Sequence, residues 1–189
     1  MSSLVDSHCH LYYEPYINDI QGTINECKKY NINKLLTIGV DIATSKKNIE
    51  LAKKYSEIYC TIGIHPNSTT FVNTESLLEL NSMIKLSDKI IGIGETGLDY
   101  YRDFDKNSQF FYFEEQIKIA KKYNLPVVIH TRDAEDDTYS ILKKYFNNNL
   151  KFIIHCFSGS IEFATKCADL GGYISFSGNI TFKNAENIR

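Results

Sequence analysis

The chain has 189 residues, 43% hydrophobic and 23% charged, enough apolar side chain for one substantial core and too little bias for disorder or low complexity. Its 21 basic and 23 acidic side chains leave a formal net charge of -2, so no chain-wide basic field marks it as a binder of nucleic acid or membrane. No apolar run reaches the roughly 18 residues of a membrane span, and the start MSSLVDSHCH lacks a basic and apolar leader, which points to a cytoplasmic protein. The five cysteines (Cys9, Cys27, Cys60, Cys156, Cys167) contain no C-x-x-C pair, which argues against a disulfide framework and a thiolate zinc ribbon.

In chain order, apolar or β-branched runs at 4–10, 34–40, 58–65, 90–95, 126–131, 152–157 and 173–177 read as strands. Helical patterns separate them. Thr44 is the expected cap before KKNIELAKKY and Thr74 before ESLLELNSMIKL; Phe113, Ile117 and Ala120 share a helix face that ends at Asn124-Leu125-Pro126. Seven βα units of roughly 20–35 residues predict a parallel α/β protein with right-handed crossovers. A doubly wound open sheet would show G-x-G-x-x-G after its first strand, but that strand ends in HCHLYY; Gly92-x-Gly94 lies inside a strand and reads as close helix packing. The expected architecture is a TIM-like (β/α) barrel over residues 1–189 as one domain, with about seven of eight units present. The run GNITFKNAENIR after the seventh strand reads as loop, so the reading is of a barrel lacking its eighth strand and final helix, with a gap in its wall.

All five histidines, His8, His10, His65, His130 and His155, fall at or near predicted strand C-termini, as does Glu95. In a parallel barrel that rim is where active sites are built. One such His is more often a satisfied core residue, but several buried imidazoles would each need a separate partner unless they hold a metal. His8 and His10 share a strand face, with Asp6 inward beneath them, placed to accept a ring N–H. Cys9 and Cys156 fall on the outward face and read as packing. Glu95 is a rim carboxylate able to bridge two cations, and Arg132, two residues past His130, suits an anionic group or a salt bridge to Glu135 or Asp136. Imidazoles with a bridging carboxylate suit two divalent ions (Zn, Mg or Mn) and a metal-bound hydroxide nucleophile, which is hydrolase chemistry.

These residues resemble the TatD-type metal-dependent deoxyribonucleases of the amidohydrolase superfamily. The resemblance rests on Asp6-Ser7-His8-Cys9-His10-Leu11, Gly63-Ile64-His65-Pro66 and Gly94-Glu95-Thr96-Gly97-Leu98-Asp99-Tyr100-Tyr101. Gln109, Phe113, Gln116 and Ala120 follow, then Leu125-Pro126, His130-Thr131-Arg132-Asp133-Ala134 and His155-Cys156-Phe157-Ser158-Gly159. It implies that His8 and His10 bind one metal and His130 and His155 a second, with Glu95 bridging and His65 and Arg132 near the substrate. It further implies phosphodiester hydrolysis, usually of DNA and exonuclease-like. The sequence itself leads to no expectation of a membrane or of an obligate protein partner. Tyr12 and Asn67 depart from the pattern, standing where an Asp and a second His are common. The family's eighth-strand aspartate, a ligand that orients water, has no counterpart in these 189 residues, Asp169 lying in a predicted helix. The alternatives are hydrolysis of C–N or ester bonds at the same site, or an inactive fragment of the nuclease.

Overall fold

The computed structural model describes residues 3–146 and 150–189. Strands β1 (Leu4–Cys9), β2 (Ile32–Thr37), β3 (Ile58–Ile62), β4 (Ile90–Asp99), β5 (Val127–Arg132), β6 (Phe152–Ile154) and β7 (Tyr173–Ile174) form one sheet. They lie in the order β1 to β7, every neighbouring pair parallel. Between them run α1 (Ile20–Lys29), α2 (Ile42–Lys54), α3 (Thr74–Met83), α4 (Lys106–Tyr123), α5 (Glu135–Tyr145) and α6 (Ile161–Asp169). Sequential parallel order with a helix in each connection makes the sheet curl, and the result is an open TIM-like half-barrel. β1 and β7 are its outer strands, and they expose Leu4, Val5 and Tyr173. The run after β7 forms short 3-10 turns at Gly178–Thr181 and Glu186–Ile188. None of the described helices is long and apolar enough to cross a membrane.

The two expected helix caps lie one to three residues earlier than the sequence reading placed them. Asp41 caps α2: its carboxylate accepts the Thr44 N–H at 2.7 Å, while the Thr44 hydroxyl accepts the Asp41 N–H at 3.0 Å. Asn73 and Ser76 form the same reciprocal box on α3, so Thr74 is the first helical residue. A short acceptor outside the helix meets the free N–H groups of the first turn better than a residue already inside it. α4 ends as read, with Asn124 in the left-handed region at φ 53, a conformation that asparagine tolerates and that stops the helix before Pro126. Phe113, Ile117 and Ala120 of α4 are fully buried against Ile93, Leu98 and Ile129 of the sheet core.

β4 differs most from expectation. It does not stop at Glu95 but continues to Asp99, because Thr96, Gly97, Leu98 and Asp99 pair with Ile129, His130, Thr131 and Arg132 of β5. Glycine permits this. At Gly97 (φ 137) a Cβ would lie 2.0 Å from the His130 carbonyl oxygen, and at Gly94 (φ 139) 2.5 Å from that of Val128. Gly94 and Gly97 therefore serve close approach between strands, where the sequence reading took Gly92-x-Gly94 for close packing of a helix against the strand.

Candidate metal centre

The strand ends carry five imidazoles and two buried carboxylates to one mouth. Glu95, 4% exposed, stands at its centre. Its Oε1 lies 2.7 Å from His155 Nε2, 3.0 Å from His130 Nδ1 and 3.3 Å from His65 Nε2, and its Oε2 lies 3.4 Å from His8 Nε2. Burial disfavours the charged carboxylate, but the surrounding imidazoles outweigh it and hold Glu95 well below the usual carboxylate range. Two groups of donor atoms, each within 4.8 Å of one another, share this residue: His8, Glu95 and His155, and His65, Glu95 and His130. A cavity of about 410 Å³ opens over them, bordered by His10, Tyr13 and Asn67.

Hydrogen bonds decide which ring nitrogens can present a lone pair. His65 Nδ1 accepts the backbone N–H of Asn67 at 3.0 Å, and an amide can only donate. Neutral His65 therefore carries its proton on Nε2 and offers Glu95 a donor. His130 is arranged the other way, with Nε2 3.1 Å from Asp99 Oδ2 and Nδ1 turned to Glu95. Burial would lower its pKa, but the hydrogen bonds to Asp99 and Glu95 raise it to about 9. Burial lowers His155 despite its contact with Glu95, and lowers His10 with help from His8. His8 stacks on His155 with ring centres 3.9 Å apart, and its two ring nitrogens are buried without a hydrogen-bond partner. A buried imidazole left unpaired beside a carboxylate is what a divalent cation would satisfy, and the nitrogen and oxygen donors fit one.

His10 stands in edge contact with His8, centres 5.1 Å apart, while its Nδ1 lies 3.0 Å from the Tyr12 hydroxyl; it belongs to neither donor group. Asp6 does not take a ring N–H. Its carboxylate accepts the His8 backbone N–H at 3.0 Å, because the side chain lies along its own strand. Arg132 is exposed, and its guanidinium stacks over the Tyr101 ring at 3.5 Å. Glu135 is already occupied, accepting the Ser160 N–H at 2.7 Å and hydroxyl at 2.6 Å. Cys9 packs beside the core and its thiol reaches the Leu36 carbonyl, as an outward residue should. Cys156 does not face outward. With φ 46 its backbone turns at the end of β6, and the thiol meets the Ser177 hydroxyl at 2.7 Å in a second cavity, about 470 Å³, beside His8 and His155.

Sequence reasoning missed Asp99, 2% exposed, and the way the site's backbone is held. Gln109 and Gln116, two helical turns apart on α4, are both fully buried. Gln109 accepts the Asp99 N–H at 2.8 Å and donates to the Asp99 carbonyl at 3.0 Å. Gln116 does the same for Ile64, next to His65, at 2.8 and 2.9 Å, and donates to the hydroxyl of Thr96, next to Glu95, at 2.7 Å. The signal was legible: two amides seven residues apart on an otherwise apolar helix face, and Asp99 at the same strand parity as Glu95.

A family model described as TatD related DNase matches residues 5–189. The chain is 38% identical over 184 residues to the uncharacterized metal-dependent hydrolase YabD of Bacillus subtilis, covering 97% of this chain and 72% of that protein. Among solved structures it resembles YjjV, a TatD homolog from Escherichia coli, with a TM-score of 0.87 and 28% identity over 95% of this chain and 70% of that one. A hydrolase TatD family protein from Entamoeba histolytica gives a TM-score of 0.86, also at 28% identity, over 94% and 66%. With the family's histidines and glutamate gathered at the strand ends of its fold, the chain belongs to the TatD-related family of metal-dependent hydrolases.

Proposed function

We propose that this protein hydrolyses phosphodiester bonds of DNA, exonuclease-like, with two divalent cations of the Zn, Mg or Mn class. The observation that carries the reading is Glu95, a single buried carboxylate whose two oxygens face imidazoles on both sides. Glu95 would be the shared ligand, with His8 and His10 on one side and His130 and His155 on the other. Bound there, the cations would supply an activated water at neutral pH and offset charge on the phosphoryl group. His65, whose proton the Asn67 amide directs to Nε2, acts on the substrate side as a hydrogen-bond donor to a phosphate oxygen. Arg132, stacked on Tyr101 and not paired with Glu135, offers its fork of N–H groups to a neighbouring phosphate. Tyr13, exposed at the border of the cavity, supplies a face on which a base can stack. The local charge of Arg132 thus does what the chain's net charge of -2 does not. The free thiols of all five cysteines support a cytoplasmic setting.

The test is cleavage of short end-labelled DNA by protein stripped with a chelator and resupplied with Mg, Mn or Zn. The expected result is cation-dependent release of nucleotides that His130→Ala and His155→Ala abolish. Hydrolysis of amide or ester substrates with DNA untouched would replace the phosphodiester reading by the carbonyl one. No turnover of any of these substrates would leave an inactive scaffold and overturn it.

A further inference from the structure

We propose that Asp99 is a positioning residue for the metal centre: it accepts a hydrogen bond from the His130 Nε2–H and so holds that ring with the Nδ1 lone pair aimed at the Glu95 side. The inference rests on the reading of His130 as a metal ligand. Asp99 Oδ2 lies 3.1 Å from His130 Nε2, and Glu95 Oε1 lies 3.0 Å from Nδ1, so the ring is gripped along both edges. A cation competing for Nδ1 leaves one neutral tautomer, the one with its proton facing Asp99. The carboxylate is itself fixed. Gln109 clamps its backbone from both sides, its Oδ1 accepts the Tyr101 N–H at 3.1 Å, and its Oδ2 faces the imidazole at 3.1 Å with a longer 3.5 Å contact from the Asn67 amide.

The topology explains why this residue and no other does so. β4 runs four residues past Glu95 in register with β5, so Asp99 stands opposite Arg132, and the His130 ring lies between the two acids of one strand. Hydrogen bonds from a carboxylate to the far nitrogen of a ligating histidine set its orientation and basicity, and removing them typically costs 10–100-fold in metal affinity. Nothing else among the described residues contacts His130 Nε2 in this way.

The experiment measures Zn and Mn binding by calorimetry to the stripped 189-residue protein, to Asp99→Asn and to Asp99→Leu, with the imidazole tautomer of His130 read by nitrogen NMR in the loaded state. The wild type should show His130 protonated at Nε2 alone. One of its two cations should bind roughly 10-fold weaker in Asp99→Asn, which keeps a carbonyl acceptor, and up to about 100-fold weaker in Asp99→Leu. A wild-type His130 protonated at Nδ1, or unchanged affinity in a folded Asp99→Leu, would sink the inference while leaving the metal reading intact. A wild type that binds no divalent cation would overturn both. Should Asp99→Leu fail to fold, the isosteric Asp99→Asn and the wild-type tautomer still decide the matter.

Discussion

Replacing Gln116 by methionine, which keeps the length of the side chain and removes its amide, should destabilise the protein far more than an ordinary core substitution. The amide accepts the Ile64 N–H, donates to the Ile64 carbonyl and donates to the Thr96 hydroxyl, and Gln116 itself is fully buried. The variant leaves those three groups without this partner in a dry interior, at about 1–3 kcal/mol each, so the expected loss is roughly 3–9 kcal/mol. That is a large share of the roughly 5–15 kcal/mol by which a domain is stable. Urea unfolding followed by circular dichroism measures it directly: with a slope of about 2 kcal/mol per molar, the midpoint should fall by at least about 1.5 M. Gln109→Met, which orphans the N–H and carbonyl of Asp99, should lose a smaller amount, about 2–6 kcal/mol. Because Ile64 and Thr96 adjoin His65 and Glu95, divalent-cation affinity should drop with Gln116→Met even under conditions where it remains folded. A loss below 1 kcal/mol would refute the claim that these amides hold the site from behind.

Two further outcomes concern stability. With divalent cations stripped, His130 titrates at about 9 in the fold against 6.5 as its ordinary value. A raised folded pKa means stability that is fully present below about pH 6.5 and is lost as pH rises through 9, of order 3 kcal/mol for this partly buried ring. Urea midpoints should therefore fall from pH 7 to 9 in the wild type and stay nearly level in His130→Gln; parallel curves would count against the carboxylate grip on His130. Asp41→Ala, which removes the side-chain acceptor of the α2 box, should cost about 1 kcal/mol by the same assay, and a neutral result would show that the Thr44 hydroxyl alone caps the helix.

Much of this protein follows from local pattern. Periods of two and 3.6 in hydrophobicity are set by backbone geometry, so the alternating strands and helices, the end of α4 at Asn124 and the shared rim of His8, His130 and His155 were legible in the order of residues. What could not be read were relations that depend on how two strands or a strand and a helix are placed side by side. The extension of β4 to Asp99 follows from the approach of Gly94 and Gly97 to β5, which no period records. The turn of the Cys156 thiol into a cavity follows from a φ of 46, not from strand parity. His65 turns its Nε2 to Glu95 and His130 its Nδ1 only because an amide faces the other nitrogen of one ring and a carboxylate that of the second. A sequence states which side chains can ionise or ligate, whereas the proton on each nitrogen is assigned by its hydrogen-bond partner, and that partner is brought into place by the tertiary fold.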